Sequence, residues 1–310
     1  MNNKITKQRL KTFLVYDLVK MVAITAIVLL CTIIIFNWVG KRPNEGQTFT
    51  VLIDGTEVIS GDGQEEFYTK VSNGTQGKRY KGLSYSILTG NVTTISPTSD
   101  SPMEMLVQTY IQLKDDDVLI AGKTVAKYYL GRNAAMDFDD FISHIDDFLY
   151  ENNGFYTSKQ ASSDDINEQA VKEYYLKNNS NALIFMTESQ KQESIQREIE
   201  RIKGYKINSD LFKKLLEVCP NIISTDEELS SYQLGEYKRS GKFALNLGVL
   251  GDGFINVYKT KQTVNNEEVD TTNGVYLLLG NHLQGDNDMV FETLSFILTL
   301  AEEYSSVLGG

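Results

Sequence analysis

The chain has 310 residues, of which 41% are hydrophobic and 23% are charged, and its formal net charge is -11 at pH 7. This length and composition are in the normal range for folded protein and favour one or two domains. The first 42 residues hold seven of the 30 Lys and Arg residues but one of the 41 Asp and Glu residues. The remainder is therefore strongly acidic and repels phosphate backbones, which argues against nucleic acid as a partner.

The amino-terminal region contains an uncharged apolar stretch, "MVAITAIVLLCTIIIFNWV", from Met21 to Val39. It is about as long as a helix that crosses a bilayer core of about 30 Å. Five basic residues precede it and two follow it, so the positive-inside bias predicts a cytoplasmic amino terminus. We predict a single-pass protein of the cell membrane of a single-membrane bacterium, with its main domain outside. The expected segments are a cytoplasmic tail (1–20), a transmembrane helix (21–40), a linker (41–48) and an extracytoplasmic α/β domain (49–310).

Two other interpretations of this region remain. A cleaved signal peptide competes with the uncleaved anchor, although no small-x-small cleavage site follows the apolar stretch. Cys31 also raises lipid attachment, but the bulky Leu30 before it departs from the lipoprotein pattern and favours an ordinary membrane-buried thiol. Cys31 and Cys219 lie in different predicted compartments, so they offer no disulfide framework.

Strand and helix patterns alternate in the first part of the outer domain. Asp100 or Ser101 can cap a helix that has Pro102 at its first position. "DVLIAG" (Asp117 to Gly122) is typical of a short strand buried on both faces. The predicted elements in order are strands in "FTVLID" and "EVIS", a helix in "QEEFYTKVSNG", a strand in "KGLSYSILTGN", the Pro102 helix, the "DVLIAG" strand, and helices in "KTVAKYYLGR" and "MDFDDFISHIDDFLYENNG". Such alternation predicts an α/β layer architecture.

The second part is more helical before it returns to strands. Asp164 or Asp165 can cap a helix in "INEQAVKEYYLKN", and "NALIFMT" resembles a buried strand. "ESQKQESIQREIERIKGY" and "SDLFKKLLEVCPN" predict two further helices. Strands follow in "KFALNLGVL", "GFINVYKTK" and "GVYLLLGNH", with a polar hairpin-like excursion between the last two. A docked helix closes the chain, with an apolar stripe that includes Val290, Leu294 and Ile297.

No stretch carries a recognisable catalytic or metal-binding motif. The acidic triplet from Asp115 to Asp117 lacks ligands at spaced intervals, so we expect it to cap the entry of the "DVLIAG" strand. His144 and His282 have no visible partner in the sequence, and HExxH and G-x-S-x-G are absent. We therefore predict a protein that is not an enzyme and holds no cofactor or metal.

Several stretches together resemble the type 2 periplasmic solute-binding proteins. They are "DVLIAG" with its following helix, "MDFDDFI", "KFALNLGVL" and "VYLLLGNHLQGDNDMVFETLSFIL". The resemblance implies a two-lobed α/β domain that binds a small solute in a cleft between its lobes, linked to an ABC-type transporter. From their places at predicted strand ends we expect Asp54, Ser101 and Asn246 to face that cleft.

A second hypothesis gives the same fold a different role. The chain would then be an interaction or assembly component of an envelope complex that binds no solute, and an exposed apolar patch would favour it. Its partner would be a membrane protein such as a transporter permease. A third hypothesis, an ectoenzyme, requires acids or histidines that converge in one pocket.

Overall fold

The computed structural model separates the chain into two units, residues 1–47 and residues 48–310. The larger unit is a mixed α/β domain with one main sheet and two smaller ones. The structure describes residues 6–12, 18–39, 48–73, 84–88, 109, 111–113, 116–184, 186–218, 223, 226–234, 237–264, 266–285 and 287–304.

The amino-terminal unit contains helix α1 (Lys7–Thr12) and helix α2 (Leu18–Val39). Side chains in α2 are described at Lys20 and at residues 22–33, and all of these are exposed. Within the described part of the chain, no helix is both long and apolar enough to cross a membrane.

Among the described residues, strands and helices alternate through the first half of the larger unit, as predicted; the predicted start of the Pro102 helix lies outside them. Its described strands are β1 (Thr48–Ile53), β2 (Ile59–Ser60), β3 (Ser84–Leu88), β4 (Val118–Ala121), β5 (Ser231–Leu234), β6 (Tyr237–Ser240), β7 (Ala244–Asn246), β8 (Tyr258–Val264), β9 (Glu267–Thr271) and β10 (Tyr276–Leu279). Its described α-helices are α3 (Gln64–Asn73), α4 (Lys123–Gly131), α5 (Phe138–Asp146), α6 (Glu168–Asn178), α7 (Ser180–Leu183), α8 (Glu188–Val218), α9 (Glu227–Ser230) and α10 (Asn287–Tyr304). A π-helical turn extends α5, and three 3₁₀ turns lie at Leu247–Leu250, Asp252–Asn256 and Asn281–Gly285.

The main sheet has the strand order β3-β1-β4-β10-β7. β1 is parallel to both β3 and β4, whereas β10 is antiparallel to both β4 and β7. All four residues of β4 are buried, which confirms the predicted buried strand. Val118 and Ile120 pack in the larger core cluster with α10, while Leu119 and Ala121 pack in the smaller one with α4. Because successive strand residues point to opposite faces, the sheet is covered on both sides.

Three predictions for the helical part are wrong. "NALIFMT" contains the short helix α7 and the exposed Ile184, not a buried strand. The two helices expected between residues 188 and 218 are one continuous helix, α8. The side chain that caps α6 is Asn167, which accepts the N–H of Ala170, and not Asp164 or Asp165.

The carboxy-terminal part ends in a helix that is buried on every side. The described residues of α10 from 289 to 301 are all buried, which confirms a docked terminal helix. α10 packs against α8, where Asn208 Nδ2 donates to Ser295 Oγ at 3.1 Å. The predicted hairpin excursion is formed by β8 and β9, which pair in antiparallel register.

Candidate functional site

One edge of the main sheet gathers the carboxyl ends of β1, β4 and β7. From β1 the chain continues to β3 on one side and later to β4 on the other, so the strand order reverses between β1 and β4. In open α/β sheets ligands bind beside such reversal points, at the carboxyl ends of the strands. Asp54 follows β1 and Gly122 follows β4, so Asp54 stands at a strand end, as predicted.

Asp54 is fully buried and bonded within the protein. Its N–H donates to the Ile120 carbonyl at 2.8 Å. Its carboxylate accepts the N–H of Thr56 at 2.9 Å, the Thr56 hydroxyl, and the N–H of Gly122 at 3.1 Å. Burial raises the pKa of Asp54, and the bonds from Thr56 and Gly122 partly oppose that rise. Oδ2 therefore joins the end of β1 to the end of β4, while Oδ1 holds the turn at Thr56.

Glu57 covers the start of α4 at the same edge. Gly122 is the N-cap residue of α4 and has no side chain with which to cap it. Instead, Glu57 Oε2 accepts the N–H of Thr124 at 3.2 Å, which satisfies one of the unpaired donors of the first turn. A Cβ atom on residue 122 would overlap the Glu57 side chain, so this approach requires glycine. The sequence analysis missed Glu57 because a cap from another segment leaves no local signal.

Charged groups border this edge on the α4 side. Lys123 Nζ lies 2.5 Å from Asp226 Oδ2 and 3.2 Å from Glu228 Oε2. Hydrogen bonding raises the pKa of Lys123 and lowers the pKa of Asp226. Tyr276 pairs with both Ala121 and Asn246 across the sheet, and burial, followed by the Asp226 charge, raises its pKa. Asp226 and Tyr276 are distant in sequence from Lys123, so no spacing rule could have grouped them.

Asn246 and Ser101 are the two other residues that were expected to face a ligand cleft. Asn246 ends β7, and its Oδ1 accepts the N–H of Gly248 at 3.0 Å, capping the 3₁₀ turn that follows. β4 and β10 lie between β1 and β7, so at about 4.8 Å per strand Asp54 and Asn246 are about 14 Å apart. Ser101 lies outside the described residues. The structure therefore places Asp54 and Asn246 on one edge without bringing them together.

The opposite edge of the sheet contains a cluster that the sequence analysis missed. Because β4 and β10 are antiparallel, the residues before β4 lie beside the residues after β10. His282 Nδ1 lies 3.7 Å from Asp116 Oδ1, and its Nε2 lies 3.5 Å from Asp117 Oδ1. The sequence showed no partner for His282, and the structure supplies two. An antiparallel strand pairing of "DDDVLI" with "YLLLGNH" would have placed His282 beside the two carboxylates, but the sequence alone does not reveal which strands pair.

Asp116 and Asp117 stand at the entry of β4, as predicted, while Asp115 lies outside the described residues. Both described carboxylates are almost fully buried, with relative exposures of 2% and 3%. Asp117 Oδ2 accepts the N–H of Thr50 on the neighbouring strand at 2.7 Å. Gly280 permits the close approach of the two segments, because a Cβ there would overlap the Asp116 carbonyl and lie 2.8 Å from His282 Cε1.

A pocket of about 240 Å³ opens beside this cluster. Hydrogen bonds fix its wall: Asn133, in a left-handed conformation at φ 56°, accepts the Tyr232 hydroxyl through Oδ1. The Asn133 carbonyl accepts Asn281 Nδ2 at 3.0 Å, and the Asn281 N–H donates to the Ala134 carbonyl at 2.8 Å. The residues that line the pocket are Ile111, Asp116, Asn133, Ala134, Asn281 and His282.

A second, larger groove of about 450 Å³ lies between α6 and α8. Its lining includes Leu176, Ile195 and Ile199 together with charged residues of both helices. In the described parts of the chain, no three His, Cys, Asp or Glu side chains are arranged to hold a metal ion. No family model, curated protein or solved structure matches this chain.

Proposed function

We propose that this protein is a membrane-anchored extracytoplasmic domain that binds a small solute and does not catalyse a reaction. The uncharged stretch within residues 21–40 and its basic flanks support the anchor, with the amino terminus in the cytoplasm of a single-membrane bacterium. The exposed apolar side chains of α2 between Val22 and Ile33 need a nonpolar environment. The partner on the membrane would be a protein such as the permease of an ABC-type transporter.

The observation that carries the proposal is the polar pocket beside β4 and β10. This pocket of about 240 Å³ is lined by a carboxylate, an imidazole and two amides, and its carboxylate is itself almost fully buried. Binding sites for small molecules combine such a space with a few convergent polar groups on a pre-formed wall. At about 30 Å³ per water molecule, the volume corresponds to about eight waters, which suits a solute of a few heavy atoms.

The relation to type 2 solute-binding proteins is part of the proposal. It is supported by the parallel strands β3, β1 and β4, by the buried "DVLIAG" strand, and by the late strand, 3₁₀ turn and helix from Tyr276 to Tyr304. Residues 48–310 form one compact unit, and the two-lobed arrangement with a cleft stays a prediction.

The groove between α6 and α8 favours a second candidate function, an interaction component of an envelope complex. Leu176, Ile195 and Ile199 form an apolar floor, and Lys172 and Lys191 stand among acidic side chains at its rim. Such an amphipathic groove suits a helix of a partner protein.

A thermal-shift screen of the full chain in detergent tests the proposal. Sugars, amino acids, short peptides, polyamines and divalent metals are the probes, and one class should raise the melting temperature. The rise should disappear in Ala134→Val, which fills the pocket, and persist in Asp62→Asn, a control at an exposed turn. If no class raises it, the solute-binding function is wrong, and crosslinking in intact membranes with a Lys172→Glu control would test the groove.

A further inference from the structure

Strand β9 has one edge that pairs with no other strand in the described part of the chain. β8 lies between β2 and β9, so β9 is the last strand of its three-stranded sheet. Residues 267–270 are exposed and Thr271 is half-buried, so the strand is open to solvent. An edge strand of this kind presents a row of backbone N–H and C=O groups, and such a row can pair with a further strand.

The charges of β9 are divided unequally between its two faces. Successive strand residues point to opposite faces, so Glu268 and Asp270 share one face. On that face Lys261 Nζ lies 3.0 Å from Glu268 Oε2, and Lys259 Nζ lies 2.8 Å from Asp270 Oδ2. These two carboxylates therefore have cations within the β8–β9 hairpin.

The other face of β9 contains Glu267 and Val269. The β8 residue opposite Val269 is Gln262, and the one opposite Thr271 is Thr260, so the described residues of the hairpin supply no cation on this face. Val269 is 46% exposed, and Glu267 is exposed as well. This face therefore combines a carboxylate with an apolar side chain directly beside the open backbone edge.

A second copy of the same strand fits this edge poorly. If two β9 strands paired antiparallel about Val269, Glu268 of each copy would face Asp270 of the other. Like charges directly opposite each other in a sheet are destabilising, whereas opposite charges stabilise the pair. The acidic strand therefore disfavours its own copy and favours an extended segment that contains Lys or Arg.

We propose that the open edge of β9 binds an extended, basic segment of a partner protein by strand addition. Backbone hydrogen bonds to β9 provide the affinity, and a Lys or Arg opposite Glu267 selects the segment. No residue of β9 lines the polar pocket beside β4 and β10, so the inference does not depend on the proposed solute-binding function.

The test titrates three fluorescent nine-residue peptides into the full chain in detergent at constant ionic strength, with anisotropy as the readout. Lysine and threonine alternate in the first peptide, glutamate and threonine alternate in the second, and the third is the lysine peptide with proline in place of two threonines. Only the first should bind, because the second has the wrong charge and the third lacks two of the backbone N–H groups. Bound lysine peptide should also slow hydrogen exchange at residues 267–271, measured by mass spectrometry.

A charge reversal at the edge tests the selection of the partner. Glu267→Lys leaves both ion pairs of the hairpin in place. It should weaken binding of the lysine peptide at least about threefold and strengthen binding of the glutamate peptide, which a misfolded hairpin would not do. Glu193→Lys makes the same change of net charge at an exposed position of α8 and should leave both affinities unchanged.

Failure of the lysine peptide to bind would overturn the proposal. Equal binding of the proline peptide would show charge attraction without strand addition, and equal binding of the glutamate peptide would rule out a basic partner. Binding that leaves exchange at residues 267–271 unchanged would place the site elsewhere. If the chain self-associates and dilution speeds exchange in β9, the occupant is a second copy and the proposal is wrong. These wild-type measurements decide between the outcomes even if Glu267→Lys fails to fold.

Discussion

Replacing Asp54 with alanine removes the carboxylate that joins the ends of β1 and β4. The Gly122 N–H loses its acceptor in a buried place, whereas the N–H of the exposed Thr56 can bond to water instead. The unsatisfied Gly122 donor costs about 1–3 kcal/mol, and relief from burying the carboxylate offsets part of that cost, so we expect a loss of about 1–2 kcal/mol in the free energy of unfolding. Asp54→Asn keeps one acceptor oxygen, which can face the buried Gly122 N–H while the exposed Thr56 bonds to water, so it should cost about half as much.

Urea unfolding of the full chain in detergent, followed by far-UV circular dichroism, measures both changes. Asp62→Ala, at an exposed turn nearby, is the matched control and should stay within about 0.5 kcal/mol of wild type. Equal losses for Asp54→Ala and Asp62→Ala would refute the reasoning.

The stability difference between wild type and Asp54→Asn should depend on pH. Burial raises the pKa of Asp54 above its ordinary value of 3.8, so the folded state binds this proton more tightly than the unfolded chain does. The stability that Asp54 contributes is therefore present below that ordinary value and is lost as the pH rises through the folded pKa. Asparagine does not titrate, so the advantage of wild type over Asp54→Asn should be larger at about pH 4 than at about pH 7. A difference that is constant with pH, or that grows as the pH rises, would contradict this account.

Three further predictions use the same unfolding measurement. Gly122→Ala should cost about 2–3 kcal/mol because the added methyl group overlaps the Glu57 side chain. The control Gly131→Ala has open space around it and should be neutral or stabilising. Adding Glu57→Gly to Gly122→Ala should recover part of the loss, and equal effects at the two glycines would be inconsistent with the overlap. Lys206 is 1% exposed and lies 2.5 Å from Asp210, so Asp210→Ala should cost about 2 kcal/mol by leaving the buried ammonium with only the Lys159 carbonyl and the Tyr156 ring as partners. Lys206→Met should cost less, and the reverse order would show that the charge is solvated. Asn246→Ala should cost about 1 kcal/mol because the Gly248 N–H loses its cap, and Asn246→Asp should retain most of the wild-type stability because its carboxylate can accept the same bond. Equal stability of all three proteins would show that the cap does not form in solution.

Local patterns in the sequence were sufficient to predict much of the first half of the domain. "DVLIAG" has no polar residue between Val118 and Ala121, and a strand covered on both faces buries such a run. "NALIFMT" shows the limit of the same argument, because a short apolar run is equally compatible with a helix. Its first residues form α7 instead.

Tertiary contacts decided what local signals could not. Ser209 and Asp210 begin the second predicted helix, yet they lie within α8, as does Asn208 before them. Asn208 is buried and bonds to Ser295 of α10, and that contact compensates for its weak helix propensity. The candidate site depended on pairing between distant segments, so Asp116 and Asp117 were interpreted as a strand cap and the third partner, His282, was not recognised.

The position of β10 has a consequence for how the protein is made. β10 lies between β4 and β7 in the main sheet, although it is the last strand in the chain. Until residues 276–279 have been synthesised, the apolar strand β4 has an unpaired edge, and such edges pair readily with other chains. α10, which fills the core on one side of the sheet, is made later still. The domain must therefore complete its fold after residues 276–304 have been synthesised, and a product truncated before Tyr276 should aggregate or be degraded.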